Sequence, residues 1–344
     1  MPSSTSKNSK TSQATLDVLI PTLNSQKVLS KCLQSIATQD YPKNLIKLYV
    51  IDGGSTDSTL KIAKKYQAII INNPKKTAEA AKAIAIKKSS SKYFALIDSD
   101  NVLPTKNWFK EMIKPLEKDP SLIGSEPLSF TYRPNAGIIE RYASLFGIND
   151  PYALVTGIYD RFSLATNKWT SLPIKVQDKA TYLKILLDPQ KKLPTIGANG
   201  TVYRRKIFSK FNNDYLFDID FIANLKNIVY FAKTKNSIIH SYCEASVSKF
   251  YRKQKRRVID LYTYQKLRTQ LWHNDTNLPL LFTVYTLTFF PVLYHSIKVF
   301  IKSKDPAAFF HLPATYLTFF IYAFYTLKFK LGLLKPLDRL QWQQ

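Results

Sequence analysis

The sequence predicts an α/β fold with a mostly parallel, doubly wound sheet, followed by a C-terminal hydrophobic helical hairpin. Two observations carry this prediction. In the first hundred residues, short apolar runs alternate with amphipathic stretches of about a dozen residues, which is typical of a parallel sheet covered by helices. Near the C-terminus, two apolar runs are separated by a short basic stretch, and each is about 20 residues long.

The predicted elements alternate along the chain. The helix at 26–37 repeats Val28, Leu29, Cys32, Leu33 and Ile36 at three- and four-residue spacing, which gives one apolar face. The predicted strands are short, apolar and rich in β-branched or aromatic residues. The predicted strands are 16–21, 46–51, 68–71 and 93–97, and the other predicted helices are 60–66 and 77–88.

Acidic residues follow two of the predicted strands. Asp52 ends the second strand, and Asp98 and Asp100 directly follow the fourth. In an open α/β sheet, ligands bind in the crevice outside the carboxyl ends of the strands. Two acids one residue apart can share a hard divalent cation and the diphosphate that it neutralises. Such a pair is also common in turns and helix caps, but the three acids at one edge of the sheet favour a binding site.

The turn after the first strand excludes two other nucleotide-binding classes. It reads Pro21-Thr22-Leu23-Asn24-Ser25, without the Gly-x-Gly-x-x-Gly of dinucleotide-binding proteins, and no Walker lysine loop is present. We therefore do not expect hydride transfer or P-loop chemistry.

Three segments together resemble the family 2 glycosyltransferases, whose fold is the Rossmann-like glycosyltransferase A fold. They are 17–24 (DVLIPTLN), 51–59 (IDGGSTDST) and 95–101 (ALIDSDN). The resemblance implies a nucleotide-diphosphate-sugar donor, a divalent metal (Mg²⁺ or Mn²⁺) and inversion at the anomeric carbon. It also implies site roles: Pro21, Thr22 and Asn24 line the nucleotide pocket, Asp52 contacts the base, Asp98 lies near the ribose and Asp100 holds the metal.

One segment departs from the family pattern. Where the family often has Ala-Arg-Asn-x-Gly, this chain has Ala-Lys-Ala-Ile-Ala at 81–85. Lys82 keeps the positive charge but lacks the bidentate fork of arginine, and Ala83 lacks an amide. We assign Lys82 to nucleotide-sugar binding and leave the base, uridine or guanosine, open.

Two further segments resemble the acceptor half of the family. Residues 195–205 match a Gly-x-Asn-Gly segment, which places Asn199 and Gly200 on the acceptor side. Residues 217–221 (FDIDF) stand where the family has Glu-Asp-x-Asp-Leu, so Asp218 falls on the general base that takes the acceptor hydroxyl proton. Phe217 replaces the preceding acid. The alternative is that Asp218 and its acidic neighbours are solvated residues at a helix start.

His240 follows an apolar strand, at the position where relatives carry a histidine near the diphosphate. We assign it to the metal side of the site together with Asp100. The alternative is a structural histidine.

The chain carries a formal net charge of +26, with 50 basic and 24 acidic residues, which indicates polyanionic partners. The densest basic cluster is 249–257. Alone it is compatible with RNA binding, but the apolar runs that follow favour phospholipid headgroups over nucleic acid. Arg252, Lys253 and Arg256 are the candidate contacts with headgroups or with the phosphate of a lipid acceptor.

The apolar runs are 278–297 and 306–327, and neither contains a formal charge. Each is long enough to cross the hydrocarbon core of a bilayer. Two buried helices of a soluble domain and a partly inserted hairpin are the alternatives. Basic residues on both flanks outnumber those of the connecting loop, which predicts a membrane protein with its catalytic domain on the cytoplasmic side.

The predicted organisation has five parts, and the two cysteines provide no disulfide framework. A disordered polar tail (1–14) precedes a catalytic domain (15–245) with a nucleotide-sugar half (15–130) and an acceptor half (131–245). A basic interfacial helix region (246–275), two transmembrane or membrane-embedded helices (276–330) and a basic cytoplasmic tail (331–344) follow.

The predicted function is that of an inverting, metal-dependent glycosyltransferase in cell-envelope glycan synthesis. The predicted acceptor is a lipid-linked sugar or a glycan. The alternatives are a polyprenyl-phosphate glycosyltransferase and a non-catalytic, membrane-bound member of the fold.

Overall fold

A computed structural model describes residues 14–197, 199–268 and 277–339, and the backbone alone of Ile219. Most of the predicted polar tail (1–14), together with parts of the basic helix region and of the last segment, lies outside the described residues. The described strands form one mixed sheet with helices on both faces.

The strands are β1 (Leu16–Thr22), β2 (Ile46–Asp52), β3 (Ile69–Asn72), β4 (Tyr93–Leu96), β5 (Asn101–Val102), β6 (Leu122–Phe130), β7 (Val176–Asp178), β8 (Tyr182–Leu187), β9 (Thr201–Arg204) and β10 (Val229–His240). The helices are α1 (Gln26–Ala37), α2 (Thr59–Lys65), α3 (Ala78–Lys88), α4 (Trp108–Lys118), α5 (Ile138–Phe146), α6 (Pro151–Val155), α7 (Asp218–Ala223), α8 (Val247–Thr263), α9 (Asn277–Leu287), α10 (Phe290–Ser303) and α11 (His311–Lys330).

The strand order in the sheet is β3-β2-β1-β4-β9-β6-β10-β8-β7, and β5 pairs with β10 off this path. The strands β3, β2, β1 and β4 are parallel, as predicted. β9 inserts antiparallel between β4 and β6, so strands from both halves of the catalytic domain share one sheet. The crevice at the carboxyl ends of the parallel strands is therefore closed on one side by the second half of the chain.

The first four strands and three helices are confirmed, with ends that differ from the prediction by at most one residue. Alternating side chains explain why these short runs form a buried sheet: Val18 and Ile20 enter one core, and Leu19 enters the core on the other face. Thr77 caps α3, because its side chain accepts a hydrogen bond from the Ala80 amide.

The second half differs from the prediction at one strand. His240 does not follow a short apolar strand, because it is the last residue of one long strand, β10, which carries irregularities opposite β6. Between α5 and α6, Asp150 caps α6 and Pro151 occupies its first turn.

The C-terminal apolar region differs from the predicted hairpin. The run 278–297 is not one helix, since α9 and α10 are bent by 76° at a short break. The second run forms a continuous apolar segment, Pro306–Lys330, that is long enough to cross a membrane by length and composition. It consists of a short 3₁₀ helix (Pro306–Phe310) and α11, and 44% of its most apolar window is buried inside the protein.

Candidate active site

The Asp52 carboxylate organises the loop that follows β2. It is 4% exposed and accepts hydrogen bonds from the hydroxyl of Thr22 (3.1 Å), from the amides of Gly54 and Ser55 (2.9 and 2.8 Å) and from the hydroxyl of Ser55 (2.5 Å). A tight turn is possible here because Gly54 adopts a φ of +92°. Asp52 therefore holds the β1 and β2 loops together at the floor of the predicted nucleotide pocket.

Asn24 forms the second link between these two loops. Its backbone has a φ of +47°, and its side-chain oxygen accepts a hydrogen bond from the Thr56 amide (2.8 Å). Its own amide donates to the Ser55 hydroxyl (2.8 Å). The residues predicted to bind the nucleotide after β1 and β2 thus form one hydrogen-bonded rim, next to the half-buried Pro21 and the buried Thr22.

The acidic pair lies beside His240 because a two-residue ladder joins distant parts of the chain. Asn101 pairs with His240, and Val102 pairs with Ile239, across β5 and β10. This pairing brings His240 Nε2 to 3.4 Å from Asp100 Oδ2. Asp98 makes no side-chain hydrogen bond or ion pair with the residues that the structure describes. The structure therefore brings the two predicted metal-side residues together.

Lys253, predicted as a phosphate contact, reaches the same carboxylate from α8. Its Nζ lies 3.3 Å from Asp100 Oδ2 and 4.5 Å from the centre of the Tyr242 ring. Burial raises the pKa of Asp100, but His240 and Lys253 outweigh that effect and hold the pKa well below its usual range. Asp100 is therefore ionised at neutral pH, and a cationic side chain adjoins the position of the predicted diphosphate.

Asp218 begins α7 and pairs with Lys82 of α3, whose Nζ lies 2.6 Å from Asp218 Oδ2. Lys82 was predicted to contact the nucleotide sugar; its buried ammonium contacts the candidate base. The other carboxylate oxygen, Oδ1, is buried and has no hydrogen-bond partner among the described residues. Burial raises the pKa of Asp218 to about 6, although Lys82 opposes the shift and the nearby Asp98 adds to it. Such a pKa suits a general base near neutral pH.

The loop containing Asn199 and Gly200 lies between Asp218 and the acidic pair. The side chain of Asn101 donates a hydrogen bond to Asn199 Oδ1 (3.1 Å). Gly197 has a φ of +115°, and a Cβ at this position would lie 2.9 Å from Asp218 Cβ. A Cβ at Gly200 would lie 2.5 Å from Ile238 Cδ1, so its role includes close packing. The predicted acceptor-side segment thus contacts Asn101, the residue after the acidic pair, and closely approaches Asp218.

A buried cluster of charges, absent from the sequence prediction, supports this loop. Glu126 binds Arg161 (2.8 Å) and Lys233 (2.7 Å), and all three side chains are at most 1% exposed. Asp160 completes the cluster by pairing with Arg161. The second oxygen of Glu126 accepts the Gly197 amide (2.9 Å), and Arg161 donates to the Asn199 carbonyl (3.2 Å). These residues position the loop that contains Asn199 and Gly200, which we call the acceptor loop. They lie away from the β1 and β2 loops of the predicted donor site.

Burial and charge determine the ionisation of this cluster. Burial raises the pKa of Glu126, but Arg161 and Lys233 outweigh it, so the net shift is downward. The sequence signal was Lys233, a charged residue directly after the apolar run 228–232.

A cavity of about 890 Å³ extends from the acceptor loop to the C-terminal helices. At the site end it is lined by Asn199, Thr195 and Asp160, and at the far end by aromatic and apolar side chains of α9 and α11, including Phe282 and Phe319. Arg256, predicted as a phosphate contact, lines it together with Arg257. Arg252 lies on the same helix, is half-buried and does not line this cavity. The cavity therefore joins a polar end to an apolar end.

A divalent metal fits the acidic pair as a shared site. Among the described residues, no three His, Cys, Asp or Glu side chains are grouped closely enough to hold a metal without other ligands. Mg²⁺ and similar ions commonly bind through one or two protein ligands and complete their shell with substrate phosphate and water. The ionised Asp100 matches that donor set, and the adjacent His240 adds an imidazole nitrogen.

The first part of the chain resembles known proteins in sequence. Residues 17–137 match the model of the family described as glycosyl transferase family 2. Glycosyltransferase AglE of Haloferax volcanii is 31% identical over 137 residues, which cover 38% of this chain and 44% of that protein. A Methanococcus voltae enzyme, dolichyl N-acetyl-alpha-D-glucosaminyl phosphate 3-beta-D-2,3-diacetamido-2,3-dideoxy-beta-D-glucuronosyltransferase, is 29% identical over 120 residues, 32% of this chain and 37% of that protein. The matches thus span less than half the length of these relatives.

One solved structure resembles nearly the whole chain. The mannosyltransferase PcManGT from Pyrobaculum calidifontis, in complex with GDP-Man and Mn²⁺, superposes with a TM-score of 0.54. The match covers 93% of this chain and 89% of that chain, at 13% sequence identity. At this identity the likeness concerns the fold, and it confirms the predicted fold class.

Proposed function

We propose that the chain, whose residues 17–137 match the family 2 glycosyltransferase model, transfers a sugar from a nucleotide-diphosphate donor to a lipid-linked acceptor. The observation that carries the proposal is that one loop, around Gly197 and Asn199, adjoins both sides of the candidate site. Asn199 accepts a hydrogen bond from Asn101, which pairs with His240 in the β5–β10 ladder. Gly197 closely approaches Asp218, the partner of Lys82.

We place the nucleotide of the donor against the hydrogen-bonded rim that follows β1 and β2. This rim consists of Pro21, Thr22, Asn24 and Asp52, and Asp98 lies at the end of the adjoining strand. In this position the diphosphate faces Asp100, His240 and Lys253. Lys253 contributes positive charge there, because its ammonium already lies at hydrogen-bond distance from Asp100.

Asp100 and His240 would hold a divalent metal, Mg²⁺ or Mn²⁺, at the diphosphate. When bound, such an ion offsets the charge that develops on the leaving nucleoside diphosphate. The Mn²⁺ in the PcManGT complex supports this assignment.

Asp218 acts as the general base on the acceptor side. Its Oδ2 is fixed by Lys82, and its unpaired Oδ1 accepts the proton of the attacking acceptor hydroxyl. In-line attack on the anomeric carbon then displaces the nucleoside diphosphate and inverts the configuration. The fixed carboxylate orientation favours catalysis because the acceptor oxygen meets a preorganised base.

The acceptor binds in the cavity between the acceptor loop and the C-terminal helices. Its polar end adjoins Asn199, and its apolar end suits a lipid chain, as in a lipid-linked sugar. The name of the Methanococcus voltae relative describes a dolichyl-linked acceptor, which supports this class. With such a substrate we propose a membrane location and a role in cell-envelope glycan synthesis, and we keep the cytoplasmic side that the flanking basic residues predict for the catalytic domain.

A polyprenyl phosphate is the second candidate acceptor, and Arg256 and Arg257 on the cavity wall favour it. A phosphate oxygen is already ionised and requires little base catalysis. Asp218→Asn should therefore retain much of the rate with a polyprenyl phosphate, and should lose on the order of 10² to 10⁴ in rate with a hydroxyl acceptor.

The proposed activity is tested by the release of nucleoside diphosphate from detergent-solubilised protein. The assay covers uridine- and guanosine-diphosphate sugars, with Mg²⁺, Mn²⁺ or chelator, and with or without lipid extract or polyprenyl phosphate. We expect one donor to be turned over with metal and with lipid. If the protein neither binds nor turns over any of the donors, the proposal is contradicted and a non-catalytic protein is favoured.

A further inference from the structure

The C-terminal helices expose many large apolar side chains. Phe290, at the bend between α9 and α10, is 77% exposed, and Leu287 beside it is 65% exposed. On α11, Phe320, Phe324 and Leu327 are exposed at four- and three-residue spacing, which places them on one helix face. Exposed patches of this kind mark interaction surfaces. We call this set the apolar face; its other exposed members are Leu280, Leu281, Val284, Phe289, Tyr294, Ile297, Ile301, Phe309 and Leu331.

The opposite face of α11 packs on the catalytic domain. Ile321 and Tyr325 are buried against Val258 and Ile259 of α8. Phe329 stacks on Tyr262 of the same helix, with ring centres 4.2 Å apart. α11 therefore lies along α8 with one side covered and one side open.

Both ends of α11 are attached to the catalytic domain. Before the helix, Asp305 accepts a hydrogen bond from Tyr132 (2.8 Å) and pairs with Arg141 (3.0 Å). After it, Arg339 pairs with Asp260 of α8. A helix that crossed a bilayer would carry its two ends to opposite sides of a hydrocarbon core about 30 Å thick.

The connecting loop makes the same point for the predicted hairpin. Lys302 donates hydrogen bonds to the carbonyl of Leu164 (2.9 Å) and to the side chain of Asn167 (2.6 Å). In a two-span hairpin this loop would lie across the membrane from the catalytic domain. The observed contacts require it to lie on the same side.

We propose that the apolar face inserts into one leaflet of an anionic membrane, with α9, α10 and α11 in the plane of the surface and none of them crossing it. Lysines at the edge of the face support a lipid partner of negative charge. Lys328 Nζ lies 4.9 Å from the centre of the Phe324 ring and Lys298 Nζ lies 5.7 Å from that of Tyr294, so apolar rings and ammonium groups alternate as they do at membrane interfaces. Each basic residue near anionic headgroups adds on the order of 1 kcal/mol.

This inference rests on the membrane attachment included in the proposed function and not on the transfer chemistry. Release of nucleoside diphosphate tests the chemistry, and the labelling described next tests the topology, so either can fail alone.

Topology is tested with variants that each carry one added cysteine, in sealed right-side-out and inverted membrane vesicles. The vesicles are treated with a membrane-impermeant maleimide. The reporters are Lys114→Cys in the catalytic domain, Lys304→Cys in the loop and Lys335→Cys after α11. The native chain is the background control, because Cys32 and Cys243 are both buried. Labelling after detergent addition gives the full signal for each reporter.

We expect all three reporters to react in the same vesicle orientation and in no other. Reaction of Lys304→Cys alone in the opposite orientation would establish the two-span hairpin and overturn the inference. Reaction of Lys335→Cys alone in the opposite orientation would establish a single span at α11 and overturn it equally.

The lipid partner is tested by flotation of purified protein with phosphatidylcholine vesicles that contain or lack phosphatidylglycerol. Phe320→Glu with Phe324→Glu should weaken binding by roughly tenfold or more, because two apolar side chains leave the interface. Val176→Glu with Ile228→Glu is the matched control, since both residues are exposed and lie outside the apolar face. Equal loss in both pairs, no preference for phosphatidylglycerol, or a soluble dimer that ignores vesicles would contradict the proposal.

Discussion

The ammonium of Lys82 lies 2.6 Å from one carboxylate oxygen of Asp218, and the other oxygen has no partner among the described residues. Lys82 belongs to the predicted nucleotide-sugar half (15–130), or donor half, and Asp218 belongs to the predicted acceptor half (131–245). Lys82 therefore orients the candidate general base and opposes the rise in its pKa that burial causes.

The first prediction is that kcat falls as the pH falls through about 6. Burial raises the pKa of Asp218 to about 6, and the base works only when deprotonated. Lys82→Gln removes the charge that favours the ionised form, so the acid limb should move to higher pH. The pH profile of kcat with a hydroxyl acceptor measures the shift.

Lys75→Gln, which removes a lysine paired with the exposed Asp214, is the control and should leave the acid limb of the profile in place. An unmoved limb in Lys82→Gln would remove Asp218 from the role of base.

The second prediction concerns Asp100→Asn. The variant should lose metal-dependent turnover on the order of 10²-fold or more, because a neutral amide is a weaker ligand for a hard cation than a carboxylate. A titration of activity against Mn²⁺ checks it, with calorimetry to separate metal affinity from turnover. Asp40→Asn, at a surface acid paired with Lys110, should behave as the native chain. Full metal-dependent activity in Asp100→Asn would show that the metal lies elsewhere.

The third prediction concerns the buried charge cluster. Arg161→Met should destabilise the fold by about 3 to 5 kcal/mol, because Glu126 and Asp160 then lose their shared cation in a buried site. Urea unfolding measures the change. Lys110→Met, which breaks the surface pair with Asp40, should cost less than about 1 kcal/mol. Similar small values for both variants would mean that the cluster contributes little to stability.

The fourth prediction is that Gly197→Ala lowers kcat through the position of Asp218. The added Cβ would lie 2.9 Å from both Asp218 Cβ and the Tyr203 hydroxyl, and the φ of +115° disfavours any side chain. Gly332→Ala, also at positive φ but with open space around it, should show only the backbone cost. Donor binding by calorimetry should stay near normal in Gly197→Ala while kcat falls. An unchanged kcat would show that the helix start can shift without effect.

The donor half was predictable from sequence because its signals are local. The turn chemistry at Asp52 and Gly54 and the two acids after β4 lie next to the strands that position them, so strand ends alone place them at one edge. The pairing of Lys82 with Asp218 was not predictable, since it depends on how α3 and α7 meet across the crevice.

The acceptor half was less readable because its key contacts link distant segments. Arg161 stands in a stretch without a recognisable motif, and only the fold shows that it binds Glu126 and the Asn199 carbonyl. The C-terminal helices combine a local signal with a distant one. Their hydropathy predicts spanning helices, and Pro306–Lys330 is long and apolar enough to span. The contacts of Lys302 and Asp305, on which the proposed in-plane arrangement depends, link distant segments and were not predictable from sequence.

The short β5–β10 ladder has a consequence for folding. We expect Asn101 and His240 to meet late in folding, because their pairing closes a very long loop. Asp100 and His240 are then separate in any partly folded form in which β10 has not joined β5. Recovery of the proposed metal-dependent activity during refolding should coincide with the slowest structural phase and would report completion of the native sheet.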